Sequence, residues 1–363
     1  MIRVLIVDDS LVVAMLLKGM LDAEPDIEVV GHAHDGREGV RMAQKLKPDL
    51  ITMDINMPHM DGFEATREIM ATQPTPIVVV SASVDDEELQ VTFRAIGAGA
   101  LAVLEKPTGQ SDPNFAKNRD ELVDTVRAMS AVKVVRREKK ARRLVESGEF
   151  SAGELKKSYS GALPARLSER EGEPFDLVAI GCSTGGPQAL SEIVSKLPAS
   201  FPAPIMVVQH ISSGFMSGLV SWLDSIGPLS VKIAENGEKL LPGWIYMAPD
   251  GQHLLANRIN GHLIASLNSA PPVGQFRPSA TPLLQSVAKQ CGAKAIGVML
   301  SGMGSDGADG MKEMHDAKAH TFVQDEESSV VYGMPGSALK AGAVDMVVNL
   351  SEIGAYLTKL VKS

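Results

Sequence analysis

The chain has 363 residues, which is too long for one ordinary hydrophobic core and suits two domains. Its hydrophobic content of 44% and formal net charge of −9 are typical of a soluble globular protein, and the acidity argues against nucleic acid as a partner. No apolar run reaches the roughly 18–20 residues of a membrane span and no signal peptide precedes the first strand, so we expect a cytoplasmic protein without membrane insertion.

Short apolar runs alternate with amphipathic helical patterns from residue 2 to about residue 129. Five of these runs predict strands, at 2–7, 27–31, 49–53, 76–80 and 100–104. Helical segments lie between and after them, so the pattern predicts a five-stranded, doubly wound, flavodoxin-like parallel sheet. We assign residues 1–130 to this first domain.

A polar stretch follows the first domain. Seven basic residues and one acidic residue lie between Lys133 and Arg143, and a Gly-, Ser-, Glu- and Lys-rich stretch continues to about residue 173. Because apolar periodicity is nearly absent, residues 131–173 are predicted to be a linker. Its basic face is either a solvated surface or a docking surface.

Apolar runs resume after the linker. They predict strands at 176–180, 204–208, 244–248, 296–300, 320–323 and 344–348. Helical patterns fall near 187–197, 214–226, 277–291, 307–317, 335–341 and 352–361. Residues 174–363 are therefore predicted to form a second doubly wound α/β domain. Two further runs meet around Asn260-Gly261, which predicts a hairpin and an antiparallel part of a mostly parallel sheet.

Acidic residues close two strands of the first domain. Asp8 and Asp9 follow the first strand, and Asp54 follows the third, at the edge where doubly wound sheets bind ligands. Three converging carboxylates repel one another unless a hard cation neutralises them, which indicates Mg²⁺. Ser81 and Lys106 follow the next two strands and suit a phosphoryl group beside that cation. The alternative is that the aspartates serve only as helix caps.

This region closely resembles the receiver domain of two-component response regulators. The residues that carry the resemblance are Val7-Asp8-Asp9-Ser10, Met53-Asp54-Ile55-Asn56-Met57-Pro58, Met60-Asp61-Gly62, Ser81 and Lys106-Pro107. The resemblance implies that a cognate histidine kinase is the phosphodonor. It also implies these roles: phosphoacceptor Asp54; Mg²⁺ ligands Asp8, Asp9, Asp54 and the Asn56 carbonyl; phosphoryl-binding residues Ser81 and Lys106. One departure is Val103, where many receivers have an aromatic switch residue.

The segment 181–186, Gly-Cys-Ser-Thr-Gly-Gly, lies between an apolar run and a helical pattern that begins at Pro187. A strand, a glycine-tight turn and a helix expose the hydroxyl at the turn, so Ser183 is a candidate nucleophile. A serine needs a base, and the base needs an orienting group. His210 alone among the domain's histidines directly ends a buried-looking strand, and Asp306 follows another strand.

A glycine-rich turn after a strand can instead bind a nucleotide phosphate. No lysine follows the glycines, as a P-loop would require. No acidic residue lies about 20 residues further on, where a Rossmann dinucleotide site would need one to bind the ribose. The order Ser, His, Asp also differs from that of α/β-hydrolases, so that fold is not predicted. Cys182 is expected to turn away from the crevice as a small buried residue rather than act as a thiol nucleophile.

The second domain resembles the catalytic domain of the chemotaxis protein-glutamate methylesterases. The matching residues are Gly181-Cys182-Ser183-Thr184-Gly185-Gly186-Pro187, Gln209-His210, Leu240-Leu241-Pro242-Gly243, Met247-Ala248-Pro249, Arg277-Pro278-Ser279, Ser301-Gly302-Met303-Gly304-Ser305-Asp306-Gly307 and Gln324-Asp325-Glu326. With the receiver, the resemblance covers nearly the whole chain except the linker. Two departures are Cys182 in place of alanine and Ala280-Thr281 in place of Val-Asp.

The resemblance implies roles for the second site, with no cofactor for the esterase reaction. They are nucleophile Ser183, general acid/base His210, orienting acid Asp306, oxyanion donor Met303 N–H, and substrate-contacting Thr184 and Arg277. The expected reaction is phosphorylation-activated hydrolysis of glutamate methyl esters on chemoreceptors, with glutamine deamidation. In the family the unphosphorylated receiver covers the crevice. The alternatives are a response regulator with a non-catalytic binding domain and the same chemistry in a non-chemotaxis pathway.

Overall fold

The computed structural model describes residues 1–81, 86–109, 115–132, 134 and 174–361. Almost all of the predicted linker, 131–173, lies outside the described residues. The N-terminal strands are β1 Ile2–Val7, β2 Ile27–Ala33, β3 Leu50–Met53, β4 Ile77–Ser81 and β5 Ala102–Glu105. The helices are α1 Leu11–Asp22, α2 Gly36–Leu46, α3 Gly62–Thr72, α4 Asp86–Ala98 and α5 Phe115–Ser130. All neighbouring strands are parallel in the order β2-β1-β3-β4-β5, which confirms the doubly wound prediction.

The C-terminal region has a second α/β sheet. Its strands and those of the hairpin are β6 Leu177–Cys182, β7 Ile205–Gln209, β8 Ser230–Ile233, β9 Trp244–Met247, β10 His253–Ile259, β11 His262–Asn268, β12 Ala295–Met299, β13 His320–Gln324 and β14 Met346–Val348. The helices are α6 Gly186–Val194, α7 Met216–Ile226, α8 Ala280–Cys291, α9 Ala308–Asp316, α10 Met334–Lys340 and α11 Leu350–Leu360. The large sheet has the order β14-β13-β12-β6-β7-β9-β8, and its strand pairs are parallel.

The antiparallel hairpin forms a sheet of its own rather than an edge of the large sheet. β10 and β11 pair in register from His253 with Asn268 to Ile259 with His262. β10 packs on α8, where the Ser286 hydroxyl accepts a hydrogen bond from Ala256 N at 2.9 Å. The position of the hairpin is therefore set by a helix face, a contact that a local turn signal does not specify.

Sequence patterns also missed the edge strand β8. It has four residues, of which Val231 alone is buried, and it pairs in parallel with β9. The central strands β6, β7 and β12 are buried throughout, which is the pattern of a parallel sheet covered on both faces. Within the described residues, no helix combines the length and apolarity needed to cross a membrane.

The two α/β regions touch through helices and loops. α4 packs on α7, where the rings of Phe93 and Trp222 stack with centroids 5.9 Å apart. The Ser212 hydroxyl donates to Glu121 Oε1 on α5 at 3.2 Å. Burial raises the pKa of Glu121, although the bond from Ser212 opposes that shift. Ser212 follows β7 by three residues, so α5 reaches a loop at the carboxyl edge of the large sheet.

Candidate active site and phosphorylation site

Ser183 lies in the turn between β6 and α6, as its sequence context predicts. Its N–H donates to Ser301 O at 3.0 Å, and its carbonyl accepts from Gly186 N at 2.8 Å. Gly185 occupies the left-handed region at φ 78°, where a side chain would be strained, and a Cβ there would lie 2.6 Å from Val330 Cβ. The glycines thus allow a turn in which the Ser183 side chain stays partly exposed.

His210 lies beside this turn because β6 and β7 are neighbours. The backbone N–H of His210 donates to Cys182 O at 3.0 Å. Its ring nitrogen Nε2 lies 2.8 Å from Asp306 Oδ2. Burial of Asp306 favours a higher pKa, but hydrogen bonds from His210 and Ser279 outweigh it and hold the pKa well below its usual range. The carboxylate can only accept, so His210 Nε2 carries the proton and Nδ1 is the basic nitrogen.

The basic nitrogen and the Ser183 hydroxyl both lack a hydrogen-bond partner among the described residues. His210 Nδ1 is buried without a hydrogen-bond partner, and the Ser183 hydroxyl makes no hydrogen bond to any described residue. The orientation is the reverse of the serine-protease template, in which Nδ1 faces the carboxylate. Catalytic hydrogen bonds often tighten only when substrate binds, so unpaired atoms on adjacent strand ends are compatible with a nucleophile and its base.

Asp306 is held by the start of α8. Its Oδ1 accepts from Ser279 Oγ at 2.6 Å and from Thr281 Oγ1 at 2.8 Å, while its Oδ2 accepts from Ala280 N at 2.7 Å. The Thr281 hydroxyl also accepts from Gly307 N at 2.8 Å. The segment that departs from the family pattern therefore supplies an uncharged clamp for the carboxylate.

Two backbone donors point to an oxyanion-binding function. The N–H groups of Thr184 and Met303 have no hydrogen-bond partner among the described residues. The Met303 side chain is 42% exposed, so it does not fill the core. A Cβ on Gly302 would lie 2.9 Å from Ser183 Cβ and 2.3 Å from Met334 Sδ, so only glycine allows this loop to approach the serine turn so closely.

Arg277 and Cys182 have different environments. The Arg277 guanidinium is exposed and donates to the carbonyls of Ser269 and Ala270, each at 3.3 Å, so a contact with substrate stays a prediction. Cys182 is fully buried and its Sγ lies 3.5 Å from Val208 O. Burial raises the pKa of this thiol far above its usual range, which disfavours a thiolate nucleophile.

Sequence reasoning missed two residues at this site. Gln209 Nε2 donates to Ser183 O at 2.8 Å and to His210 O at 2.7 Å, so one buried amide joins the serine turn to the histidine. The Phe276 ring stacks on His210 with centroids 4.0 Å apart and planes 3° apart. The available signals were the glutamine before His210 and a lone aromatic residue in a segment rich in proline and glycine.

The acidic site lies at the carboxyl edge of the first sheet. Ligand oxygens of Asp8, Asp9 and Asp54 all lie within 4.8 Å of one another. Ser10 N-caps α1, so the alternative that the aspartates are only helix caps lacks support for this helix. Lys106 Nζ lies 2.8 Å from Asp54 Oδ2 and 3.2 Å from Asp8 Oδ2.

The remaining predicted residues of this site follow adjacent strand ends. Ser81 is buried at the end of β4, and its carbonyl accepts from Lys106 N at 2.9 Å. Asn56 is exposed in the loop after β3. The partly buried Val103 lies on β5 at the position of the missing aromatic switch residue. The structure thus brings the acidic cluster and Lys106 into contact, and a ligand role for the Asn56 carbonyl stays a prediction.

The charges of this site are unbalanced without a cation. Burial raises the pKa of Asp54 to about 6; the hydrogen bond from Lys106 opposes this shift, and the nearby Asp8 adds to it. Burial of Lys106 would lower its pKa, but the bonds to Asp54 and Asp8 outweigh it and raise the pKa. One ammonium faces three carboxylates, which leaves negative charge that a divalent cation would offset.

Comparisons with known proteins find a family match for each of the two α/β regions. Residues 178–357 match the family described as CheB methylesterase, and residues 4–113 match the response regulator receiver domain. A relative from Myxococcus xanthus named protein-glutamate methylesterase/protein-glutamine glutaminase 4 is 45% identical over 98% of this chain and 96% of its own. The chain belongs to the CheB methylesterase family.

Two further comparisons extend this family assignment. A relative of the same name from Geobacter metallireducens is 45% identical and is covered over 99% of both chains. The crystal structure of the Thermotoga maritima CheB methylesterase catalytic domain matches with a TM-score of 0.51 and 39% identity, over 52% of this chain and all of that one. The fold assignment of the CheB methylesterase domain therefore stands on a solved structure as well as on sequence.

We predict that Thr281→Val weakens the clamp on Asp306. The variant keeps the side-chain shape but removes a donor to a carboxylate and leaves Gly307 N unpaired, so the C-terminal domain should lose about 1–3 kcal/mol of stability. Esterase kcat should fall as well. Urea denaturation and kinetic assays of the full-length protein measure both effects.

Two control variants separate the clamp from a general loss of threonine. Thr281→Ser retains the hydroxyl and should keep kcat close to wild type. Thr358→Val removes a hydroxyl that donates to the neutral Gly354 carbonyl on α11, away from Asp306, and should leave kcat unchanged. Equal kcat for Thr281→Val and wild type would contradict a functional clamp.

Proposed function

We propose that this protein hydrolyses glutamate methyl esters on chemoreceptors in the cytoplasm, releasing methanol, and deamidates glutamine at equivalent positions. The observation that carries the proposal is the hydrogen bond between His210 and Asp306 beside the Ser183 turn. It supplies an oriented base at the end of the strand next to the nucleophile. In the proposed assignment, Ser183, His210 and Asp306 form the catalytic triad.

The first half of the reaction acylates the serine. Ser183 Oγ gives its proton to His210 Nδ1 and attacks the ester carbonyl carbon, so the carbonyl oxygen becomes an oxyanion. The unpaired N–H groups of Thr184 and Met303 stabilise that charge. The tetrahedral intermediate then collapses, the bond to the methoxy oxygen breaks, and the proton on Nδ1 passes to that oxygen to give methanol.

The second half restores the enzyme. His210 Nδ1 takes a proton from water, whose oxygen attacks the acyl carbon. Collapse of the second intermediate returns the proton to Ser183 Oγ and releases a glutamic acid side chain, which loses its remaining proton to solvent and becomes a carboxylate. Asp306 stabilises the imidazolium in both halves through Nε2. A glutamine amide would follow the same course and release ammonia in place of methanol.

The N-terminal domain is proposed to accept a phosphoryl group on Asp54 from a histidine kinase. The residues present suit Mg²⁺, because the three carboxylates lie within 4.8 Å and carry more charge than Lys106 balances. Bound by Asp8, Asp9 and Asp54, with the Asn56 carbonyl as a further proposed ligand, Mg²⁺ would supply positive charge for the phosphoryl oxygens. Lys106 and Ser81 are proposed to hold the same oxygens.

The proposed link between the sites is docking of the receiver beside the esterase crevice. α5 contacts Ser212, two residues after His210, through Glu121. Val330 and Val331 pack against the receiver core, and Val331 N donates to the Ser301 hydroxyl at 3.0 Å. These contacts support restricted access in this arrangement, with phosphorylation weakening the docking. We assign residues 1–130 to the receiver, 131–173 to the linker and 174–363 to the esterase.

We predict that Ser183→Ala abolishes methanol release from methylated receptor while phosphorylation of Asp54 continues. Asp54→Asn should retain basal release but lose stimulation by a phosphodonor, because it removes the acceptor and leaves the triad intact. Released methanol and incorporated phosphate are measured on the full-length proteins. Methanol release by Ser183→Ala would exclude the proposed nucleophile, and release by neither the wild type nor any variant would favour a non-catalytic binding domain.

We predict that Asp8→Asn weakens Mg²⁺ binding by at least about tenfold, because it removes one anionic ligand. Asp49→Asn is the control, since Asp49 lies at the opposite end of β3 and accepts a bond from Arg3 N at 2.8 Å. Protons compete with the cation at Asp54, so wild-type affinity should decrease as the pH falls through about 6. Calorimetric titration measures both effects, and equal affinities for Asp8→Asn and wild type would contradict the ligand set.

We predict that Trp222→Leu raises basal esterase activity about fivefold, because loss of an aromatic stack worth about 1 kcal/mol shifts the docking equilibrium. Activity with a phosphodonor should stay close to wild type. Trp244→Leu is the matched control, since the 36% exposed Trp244 lies on β9 and stacks with no described receiver residue. An unchanged basal rate in Trp222→Leu would count against docking as the restraint.

A further inference from the structure

Phe276 covers one face of the imidazole at the proposed catalytic centre. Its ring lies parallel to that of His210, with centroids 4.0 Å apart and planes 3° apart. Phe276 is partly exposed, and residues 271–275 before it are all exposed. A phenylalanine that served only to fill a core would lie among buried neighbours, so burial alone does not account for its position.

The chain holds Phe276 in place with a tight turn. Val273 N donates to Phe276 O, and Phe276 N donates to Val273 O, each at 3.1 Å. Gly274 adopts φ 60°, the left-handed region that a two-residue turn of this kind requires and that glycine tolerates. The turn fixes the direction in which the Phe276 side chain leaves an otherwise exposed segment.

A buried histidine fixes both ends of this segment. His253 Nε2 lies 3.2 Å from Pro271 O, and His253 Nδ1 accepts from Ser279 N at 3.2 Å. Its side chain is almost completely buried at the start of β10. Ser279 also donates to Asp306, so the segment that carries Phe276 is joined to the residue that orients His210.

We propose that Phe276 is a positioning residue for the general base, and this proposal rests on the proposed function. The hydrogen bond to Asp306 fixes one edge of the His210 ring but leaves the ring able to turn about that edge. A parallel aromatic ring fixes the plane, so the two contacts together fix the direction of Nδ1. The aromatic face also favours the imidazolium that forms during each half-reaction.

The test compares full-length variants. Phe276→Leu keeps an apolar side chain but loses the stack, whereas Phe276→Tyr keeps the stack. Gln275→Ala is the matched control, because Gln275 is an exposed neighbour in the same turn. With methylated receptor and a phosphodonor, Phe276→Leu should lower kcat about tenfold and change KM by less than about twofold. The tyrosine and alanine variants should both stay within about twofold of wild type.

Two further measurements do not require the receptor substrate. A small aryl sulfonyl fluoride should sulfonylate Ser183 more slowly in Phe276→Leu; an S–O bond forms, the S–F bond breaks, fluoride leaves and the serine proton passes to His210 Nδ1. In NMR spectra of Phe276→Leu, the carbon-bound ring protons of His210 should lose the upfield ring-current shift that the stacked phenyl ring causes in the wild type. Phe276→Tyr should retain both wild-type behaviours.

The outcomes distinguish this proposal from the proposed function. If wild type releases no methanol, the receptor substrate is wrong, while the sulfonylation rates and NMR shifts still decide the role of Phe276. An unchanged sulfonylation rate in Phe276→Leu, or a loss confined to KM, would overturn the positioning role. A thermal unfolding midpoint that falls equally in the leucine and tyrosine variants, with equal losses of kcat, would also overturn it, because that pattern indicates a structural role alone.

Discussion

The buried carboxylate of Asp306 is the constraint on which the C-terminal site depends. A charge taken out of water is stable only when hydrogen bonds replace its hydration. This carboxylate accepts from four backbone or hydroxyl groups at the start of α8 and from His210. Those donors come from segments far apart in the chain. Satisfying one anion therefore fixes the start of α8, the loop after β12 and the imidazole at the end of β7.

The acidic site of the receiver also contains a buried carboxylate, but its charge is compensated less completely. Asp54 is also buried, but Lys106 and Ile55 N replace less of its hydration and Asp8 lies nearby, so its pKa rises to about 6. Asp306 is ionised and fixed, which suits a group that orients a base. Asp54 is held with unbalanced negative charge around it, which suits a group that takes up a cation and a phosphoryl group.

The sequence was informative wherever a site residue follows a strand. Ser183, His210, Asp54 and Lys106 each occupy a strand end, and the carboxyl edge of a parallel sheet brings such positions together whatever the loop details. The position of the hairpin was not predictable in the same way, because a helix face determines it. The edge strand β8 was not predictable either, because its pairing with β9 determines it. The stack of Phe276 on His210 depends on a turn and two tethers that no periodic pattern records.

The Thr281 position shows how a departure from a family pattern can be read only in three dimensions. From sequence, replacement of an acidic residue beside the site left its effect open. In the structure the threonine hydroxyl donates to Asp306 and accepts from Gly307 N, so it is a hydrogen-bonded member of the clamp. An ionised carboxylate at this position would face Asp306 with a like charge and could not donate to it. The uncharged donor lets Asp306 remain ionised and thereby fixes the proton on His210 Nε2, which leaves Nδ1 unprotonated, as the proposed general base requires.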